Sequence, residues 1–215
     1  MELGNIRQDG RTKDDMRVVT YRKQQNARVD GSVEFGYGEV QVLASTTGPV
    51  EVGLRDEIVD KATIEVGFRS LNGVVGVEYK TLSMQLQGIL SSVVIAEHHP
   101  RSLIRFVVQT LSSPTTPCYL IKDAVGAPPF RIPVSEKAAA TNGAVLAAVH
   151  SNIPLSGLVV AVSVAVVHDV LVIDPTSFEE ADASSVHLVA FKFSSSVEAI
   201  VAVDSIGEFT TETDV

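Results

Sequence analysis

The chain has 215 residues, a formal net charge of −9 and 45% hydrophobic residues, with no tryptophan. This composition excludes a disordered chain and indicates a folded protein whose core is aliphatic. A free-standing nucleic-acid-binding domain usually has a basic face, so we expect any RNA contact of this acidic chain to be local or to depend on a partner. The single cysteine, Cys118, excludes an intramolecular disulfide and a cysteine-rich zinc site.

Neither a secretory signal nor a membrane-spanning segment is predicted. The first residues, MELGNIRQDGR, lack the apolar stretch of a signal peptide. The most apolar stretch, 158–173, is interrupted by Ser163, His168 and Asp169. It therefore falls short of the roughly 20 apolar residues that cross a bilayer.

The first half of the chain predicts a β-meander followed by a strand, a helix and another strand. Val33, Phe35 and Tyr37 alternate with polar or small residues, which indicates a strand with one buried face. Apolar residues at helical spacing then predict an amphipathic helix that Pro100 ends. The predicted strands are 17–23, 27–30, 32–37, 40–47 (ended by Gly48-Pro49), 62–68 and 103–111, and the predicted helix is 81–97.

The second half predicts a proline-rich excursion, a second helix and two pairs of strands. Residues 112–133 carry five of the nine prolines, which indicates a long surface segment. Ser135 is the predicted N-cap of an alanine-rich helix. The densest apolar stretch, 157–174, predicts a buried hairpin that turns at His168-Asp169 and lies near the centre of the core. The predicted elements are a strand at 118–121, a helix at 136–150, the hairpin strands, and strands at 186–193 and 198–204.

Polar residues next to this hairpin are the first candidates for chemistry. Asp174, Glu179, Glu180 and Asp182 follow its second strand. They suit a divalent-metal or acid–base site, and equally a solvated loop that begins a helix. No nucleotide-binding loop, metalloprotease or hydrolase motif, or zinc-type spacing is present.

Other histidines and cations carry weaker signals. His98-His99 favours a helix C-terminal cap over a metal site. His168-Asp169 favours a plain turn over a catalytic dyad, because adjacent strand residues point to opposite faces. Arg101 and Lys137 suit phosphate binding near a helix N-terminus, but each alone is more often an ordinary surface cation.

Six short segments carry a resemblance to a known family. They are RQDGR (7–11), VDGSV (29–33), GPVE (48–51), EHHPRSLI (97–104), AAVHSNIPL (147–155) and VAVVHDVLVIDP (164–175). Their order and spacing resemble the RNase PH family, which comprises phosphorolytic 3′→5′ exoribonucleases and ring subunits of the RNA exosome. The segments DPTSFEE, SSVHLVAF and DSIGEF are most similar to those of a eukaryotic exosome ring subunit.

The resemblance implies the fold. We expect one α+β domain over 1–215 with the RNase PH-like fold, of the ribosomal protein S5 domain 2-like type, in which two four-stranded mixed β-sheets sandwich α-helices. Family members usually carry a long helix after the last strand. Because the chain ends at Val215, we expect this C-terminal helix to be missing.

The resemblance also implies phosphate-binding residues that this chain lacks. The family binds the attacking phosphate with an arginine pair early in the first long helix, where this chain has Val77 and Glu78. A Gly-Ser-Arg at the start of the second helix corresponds to Ser135, Glu136 and Lys137. Lysine lacks the bidentate fork of arginine, and glutamate repels phosphate.

The catalytic carboxylate of the family has no clear counterpart. Its position corresponds to Ser184 or Ser185, although one gap in the alignment brings Asp182 there, and Asp174 is expected where an active relative faces the phosphate pocket. Phosphoryl transfer depends mainly on positioned positive charge, so an aspartate without the arginines does not restore it. The expected degenerate site comprises Val77, Glu78, Glu136, Lys137, Asp174, Asp182 and Ser185.

The resemblance therefore implies a catalytically inactive, structural ring subunit of the eukaryotic exosome, without cofactor or metal. The implied partners are other RNase PH-like subunits in a hetero-hexamer, S1/KH-type cap subunits, a separate catalytic nuclease, and single-stranded RNA threaded through the central channel. The implied location is the nucleus, nucleolus and cytoplasm. Arg55 follows GPVE at the spacing of a pore-neck cation, so we expect it to contact RNA, together with Arg101 and Lys137. A solvent-facing loop arginine is an equal alternative for Arg55.

Two other functions remain open. One is an active phosphorolytic exoribonuclease that uses Lys137 and either Asp182 or Asp174. The other is a scaffold in a different assembly that does not bind nucleic acid.

Overall fold

Nine strands and three α-helices occupy the part of the chain that the structure, a computed structural model, describes: residues 7, 9–23, 26–71, 76–114, 132–194 and 198–207. The strands are β1 Val19–Lys23, β2 Gly31–Tyr37, β3 Val40–Glu51, β4 Thr63–Arg69, β5 Ser102–Ser112, β6 Leu158–Val167, β7 Val170–Ile173, β8 Ser185–Phe193 and β9 Glu198–Gly207. The helices are α1 Val77–Val93, α2 Val134–His150 and α3 Ser177–Asp182, with a 3-10 turn at Ala96–His98.

The strands form two sheets, which confirms the predicted α+β class. The first sheet has five strands in the order β1-β2-β3-β5-β4, and the second has four in the order β7-β6-β8-β9. The expectation of two four-stranded mixed sheets is wrong in detail. Only the first sheet is mixed, because α1 crosses over between β4 and β5 and makes them parallel, whereas β6 to β9 pair antiparallel throughout.

Helix α2 lies between the two sheets and packs against strands of both. Its alanines allow this close approach, and Ala138, Ala144 and Ala148 are fully buried. Asn142 joins the layers: its amide donates to the Tyr37 hydroxyl (2.7 Å) and the Ala161 carbonyl (2.9 Å) and accepts from the Ala161 N–H (2.7 Å). Because each donor and acceptor has a partner, this polar group is buried without an unsatisfied atom.

Three local predictions differ from the structure. Strand β3 runs through the cis Gly48-Pro49 peptide to Glu51, because a register shift between Thr47 and Val50 accommodates the proline. Residues 27–30 form turns, and the Asp30 carboxylate there accepts the Gly48 N–H (2.8 Å). Helix α1 begins four residues before the predicted start. The strand predicted at 118–121 lies outside the described residues.

The predicted hairpin is confirmed, but its central, buried position is wrong: β7 is an edge strand of the second sheet with Leu171 51% exposed, and buried residues alternate with more exposed ones along β6. His168 and Asp169 both have positive φ, 50° and 61°, as a tight hairpin turn between β6 and β7 requires. Val159, Ala161 and Ala165 of β6 belong to the core that α2 completes. In the described part of the chain, none of the helices combines the length and apolar character needed to cross a membrane.

Candidate functional site

The N-terminal turn of α2 is where the family resemblance places a phosphate site. Ser135, Glu136 and Lys137 are all buried there. The prediction that Ser135 is the N-cap is wrong: Pro133 occupies the cap position, and its side chain makes no capping hydrogen bond. Proline is tolerated at a helix start because the N–H that it lacks would have no partner within the helix.

Glu180 caps α2 from another element. Its carboxylate accepts the backbone N–H of Val134 (3.1 Å) and of Ser135 (3.2 Å), so one oxygen serves each donor. Helix α3 places Glu180 there, and a capping box between Thr176 and Glu179 starts that helix. The first N–H groups of a helix and its dipole favour an anion. In this chain the anion is the protein's own carboxylate.

Glu136 adds a second carboxylate to the same turn. It accepts hydrogen bonds from the hydroxyls of Thr110 (2.6 Å) and Ser113 (2.9 Å). Burial raises the pKa of Glu136, and these two hydrogen bonds offset the rise only in part. Burial also raises the pKa of the Tyr79 hydroxyl, and the Glu136 charge adds to that rise.

We expect Glu136→Gln to stabilise the protein at pH 7 by about 1 kcal/mol, because it removes a buried charge and keeps the side-chain shape. A raised folded-state pKa means that stability falls as pH rises from the ordinary value of 4.5 through the raised value. The extra stability of Glu136→Gln should therefore vanish in acid and grow as pH rises from 4.5 through the raised pKa. Thermal unfolding at several pH values measures it, with the half-exposed Glu78→Gln as a control that stays within about 0.5 kcal/mol. A pH-independent difference would contradict the assignment.

The Lys137 ammonium is already paired. Its Nζ lies 2.6 Å from Asp204 Oδ2 of β9, and the Lys137 side chain is 7% exposed. Val77, at the start of α1, is 80% exposed, and Glu78 follows it. Three residues of the expected degenerate site, Glu136, Lys137 and Glu78, therefore contribute one paired cation and two carboxylates.

The other three expected members have different neighbours. Asp174 pairs with Arg17 and Arg11 of the N-terminal segment. Asp182 is exposed at the end of α3 and lies 3.6 Å from His168 Nε2. Ser185, on β8, contacts His187 Nε2 through its hydroxyl at 3.0 Å, and Ser184 beside it is exposed.

The N-terminal segment is tied to the end of β7 by ion pairs. The backbone N–H and the Nε–H of Arg17 both donate hydrogen bonds to Asp174 Oδ2, each at 2.8 Å. Burial alone would raise the pKa of Asp174, but Arg17 outweighs it and holds that pKa below the usual value. Arg7 binds both oxygens of Glu179, and it likewise holds the pKa of that buried carboxyl below the usual value. These contacts anchor Arg7 and Arg17 to the end of β7 and the start of α3.

Arg55 and Arg101 lie at the opposite end of the first sheet. Arg101 precedes β5, whereas Thr110 near the other end of β5 contacts Glu136, so about 30 Å of strand separates the two positions. The Arg101 N–H donates to the Ile58 carbonyl, which places it beside the exposed 52–61 loop that carries Arg55. Arg101 forms an ion pair with Glu57, in which Arg101 Nε lies 3.4 Å from Glu57 Oε1. Within the described residues, the Arg55 side chain forms no ion pair or hydrogen bond.

Sequence reasoning missed the partners that define these sites. It singled out Glu180 only as part of an acidic cluster, and it assigned no role to Arg17, Thr110 or Asp204. The capping-box spacing of Thr176 and Glu179 was a signal for a helix that would orient Glu180. Among the residues that the structure describes, no group of three His, Cys, Asp or Glu side chains is arranged to hold a metal ion.

Comparison with characterised proteins gives consistent relatives. The chain is 28% identical over 186 residues to the exosome complex component RRP46 of Saccharomyces cerevisiae, which covers 84% of this chain and 78% of that protein. It is 32% identical over 129 residues to rrp46 of Schizosaccharomyces pombe, covering 60% of this chain and 49% of that protein.

Solved structures share the fold. The crystal structure of rice Rrp46 superposes with a TM-score of 0.81 at 24% identity, covering 96% of this chain and 88% of that one. The structure of the Archaeoglobus fulgidus exosome with RNA bound to the active site superposes with a TM-score of 0.69 at 16% identity, covering 96% of this chain and 84% of that one. At these identities the likeness shows the fold alone.

Sequence models of one family match almost the whole chain. The model of the 3′ exoribonuclease family, domain 1, matches residues 15–154, and that of domain 2 matches residues 157–213. The chain therefore belongs to the 3′ exoribonuclease, or RNase PH, family.

Proposed function

We propose that this protein is a structural, catalytically inactive ring subunit of an RNA exosome, which supports 3′→5′ RNA processing by helping to thread RNA to a separate nuclease. Its relatives named as exosome complex components, from two yeasts, support the assembly. The loss of catalysis rests on the N-terminal turn of α2.

The observation that carries this proposal is the Glu180 carboxylate on the first N–H groups of α2. A phosphate ion that entered this turn would meet Glu180 and Glu136, and Lys137, the cation that the described residues place there, is neutralised by Asp204. Phosphorolysis needs concentrated positive charge around the attacking phosphate. Among the described residues of this turn the balance of charge is negative, and the Glu180 carboxylate already occupies the helix N-terminus.

The direct test is an assay for phosphorolysis. The purified chain, alone and assembled with RNase PH-like paralogues, is incubated with an oligoribonucleotide, inorganic phosphate and Mg²⁺. We expect no release of nucleoside diphosphates. Release that disappears in Lys137→Ala would overturn the proposal in favour of the active exoribonuclease that uses Lys137.

A pull-down of the tagged protein tests the assembly. We expect RNase PH-like paralogues in equal amounts, together with S1/KH-type cap subunits and a separate nuclease, from nuclear, nucleolar and cytoplasmic fractions. Recovery of an unrelated set of partners without RNA would favour the scaffold alternative. The two assays separate the architectural claim from the catalytic one.

We further propose that Arg55 contacts RNA phosphates in transit. Its exposed side chain has no partner among the described residues, and it lies on a loop at the end of the first sheet far from the N-terminus of α2. In the assembled ring, Arg55→Glu should shorten the RNA segment protected from nuclease and reduce the slope of log K against log salt by about 0.7, the value for one contact on a single strand. The exposed Arg69 at the end of β4 provides a charge-matched control, Arg69→Glu. Equal protection by both variants would refute the contact.

A further inference from the structure

A polar cleft lies where the β1–β2 connection meets the C-terminus of α2. Its volume is about 470 Å³, within the range of small-molecule sites. We call it the His150 cleft, and it is lined by Lys23, Asn26, Ala27, Val29, Asp30, Gly31, Ser32 and His150. The cleft is separate from the N-terminal turn of α2, because His150 is the last residue of that 17-residue helix, about 25 Å from its start.

The His150 ring has a defined orientation. Gly31 packs so closely on α2 that a Cβ there would lie 2.7 Å from the Ala147 carbonyl oxygen and from the Ser151 nitrogen. This approach brings the Ser32 N–H within 3.2 Å of His150 Nδ1. A backbone N–H can only donate, so Nδ1 must accept, and the neutral ring carries its proton on Nε2. The cleft is therefore lined by a ring whose second nitrogen is a donor.

Lys23 and Asn26 bring two further donors to the lining of the cleft. Within the described part of the chain, neither the Lys23 ammonium nor the Asn26 amide forms a hydrogen bond or an ion pair. The carboxylate in the lining, Asp30, accepts the Gly48 N–H through Oδ2 (2.8 Å). Three donors of different types thus face one cavity, and they suit a ligand rich in acceptor oxygens.

The surrounding sequence has a local positive charge. Arg22, Lys23 and Arg28 fall within seven residues of a chain whose net charge is −9. Arg22 forms a long ion pair with Glu34, in which Arg22 Nη1 lies 3.9 Å from Glu34 Oε2. Ala27 and Val29 add an apolar wall beside the donors, of a kind that a ribose or a base packs against.

We propose that the His150 cleft binds a phosphate ester, with Lys23, Asn26 and His150 Nε2–H as donors to the phosphate oxygens. The ligand is either a mononucleotide or a phosphodiester of single-stranded RNA, which share this chemistry. The proposal goes beyond the role in the ring, because the cleft belongs to this chain alone and needs neither assembly nor catalysis.

Titration calorimetry on the isolated full-length chain tests the proposal with three probes: inorganic phosphate, AMP and a short oligoribonucleotide. We expect AMP or the oligonucleotide to bind with a Kd below about 1 mM. Lys23→Glu should weaken binding about tenfold or more, and Asn26→Ala severalfold, because each removes a donor to a charged group. Both residues are exposed, so neither change threatens folding. The exposed Lys80 of α1 gives the matched control, Lys80→Glu, which should bind as the unaltered chain does.

The source of the phosphate follows from the probes. Binding of AMP as tight as that of the oligonucleotide identifies a mononucleotide site, and stronger binding of the oligonucleotide identifies an RNA contact. Nuclear magnetic resonance of the ¹⁵N-labelled His150 ring should show the Nε2–H form and a shift of that nitrogen on binding. No binding of any of the three probes, or equal binding by Lys23→Glu, would overturn the proposal. Phosphorolytic activity has no bearing on these outcomes, so the two proposals fail independently.

Discussion

Replacing Asp174 by asparagine is expected to lower the free energy of unfolding by about 3–5 kcal/mol, the usual cost of removing one partner from a buried ion pair. The Asp174 side chain is 2% exposed, and it is the acceptor for the backbone N–H and guanidinium of Arg17. Asparagine keeps the shape but not the charge. It would leave the nearly buried Arg17, 12% exposed, without its counter-charge.

Chemical denaturation of the two proteins measures this loss. The exposed Asp182→Asn is the matched control, with an expected change within about 0.5 kcal/mol. Because the folded-state pKa of Asp174 is lowered, its contribution is present above the ordinary value of 3.8 and is lost as pH falls through the folded value. The two curves should therefore converge in acid. A loss below about 1 kcal/mol at pH 7 would show that Asp174 does not anchor the N-terminal segment.

Local sequence patterns were enough to predict most of the strands and helices. The apolar stretch of β6 and β7 depends on near neighbours, so the hairpin was visible in the sequence. The alternation in β2 predicted one buried face, but Ser32 and Gly36 of the other face are buried as well. The course of β3 through Gly48-Pro49 was not visible, because a proline ends most central strands unless a bulge accommodates it. Which edge β4 joins depends on the crossover through α1, a property of the whole chain.

The sites depended on contacts that no local pattern contains. Asp174 meets Arg17 across 157 positions of the chain, and Glu180 meets Val134 across 46. Ser135 had the residue type of an N-cap, but a proline preceded it and a distant carboxylate supplied the cap. Family resemblance indicated where relatives bind phosphate. The structure shows the Glu180 carboxylate on the N-terminus of α2.

Replacing the capping residue, Glu180→Ala, should lower the free energy of unfolding by about 2–4 kcal/mol. It removes an N-terminal cap and a charge that complements the α2 dipole, and it leaves the Val134 and Ser135 N–H groups buried. Glu180→Gln keeps one acceptor oxygen and loses the charge, so it should cost about half as much. Glu180→Gln keeps the packing of the side chain, so a loss close to zero in that variant would indicate that packing, not the charged hydrogen bonds, holds this residue.

The same residue decides whether phosphate binds to the unaltered protein. An anion that binds only the folded state raises the unfolding temperature in proportion to ln(1 + [L]/Kd). With Glu180 on the helix N-terminus, about 10 mM inorganic phosphate should change the melting temperature of Lys23→Glu, which lacks the His150 cleft cation, no more than sodium chloride of equal ionic strength does. A specific phosphate shift in that variant would mean that the carboxylate does not close the turn. The α2 N-terminus would then remain a functional phosphate site.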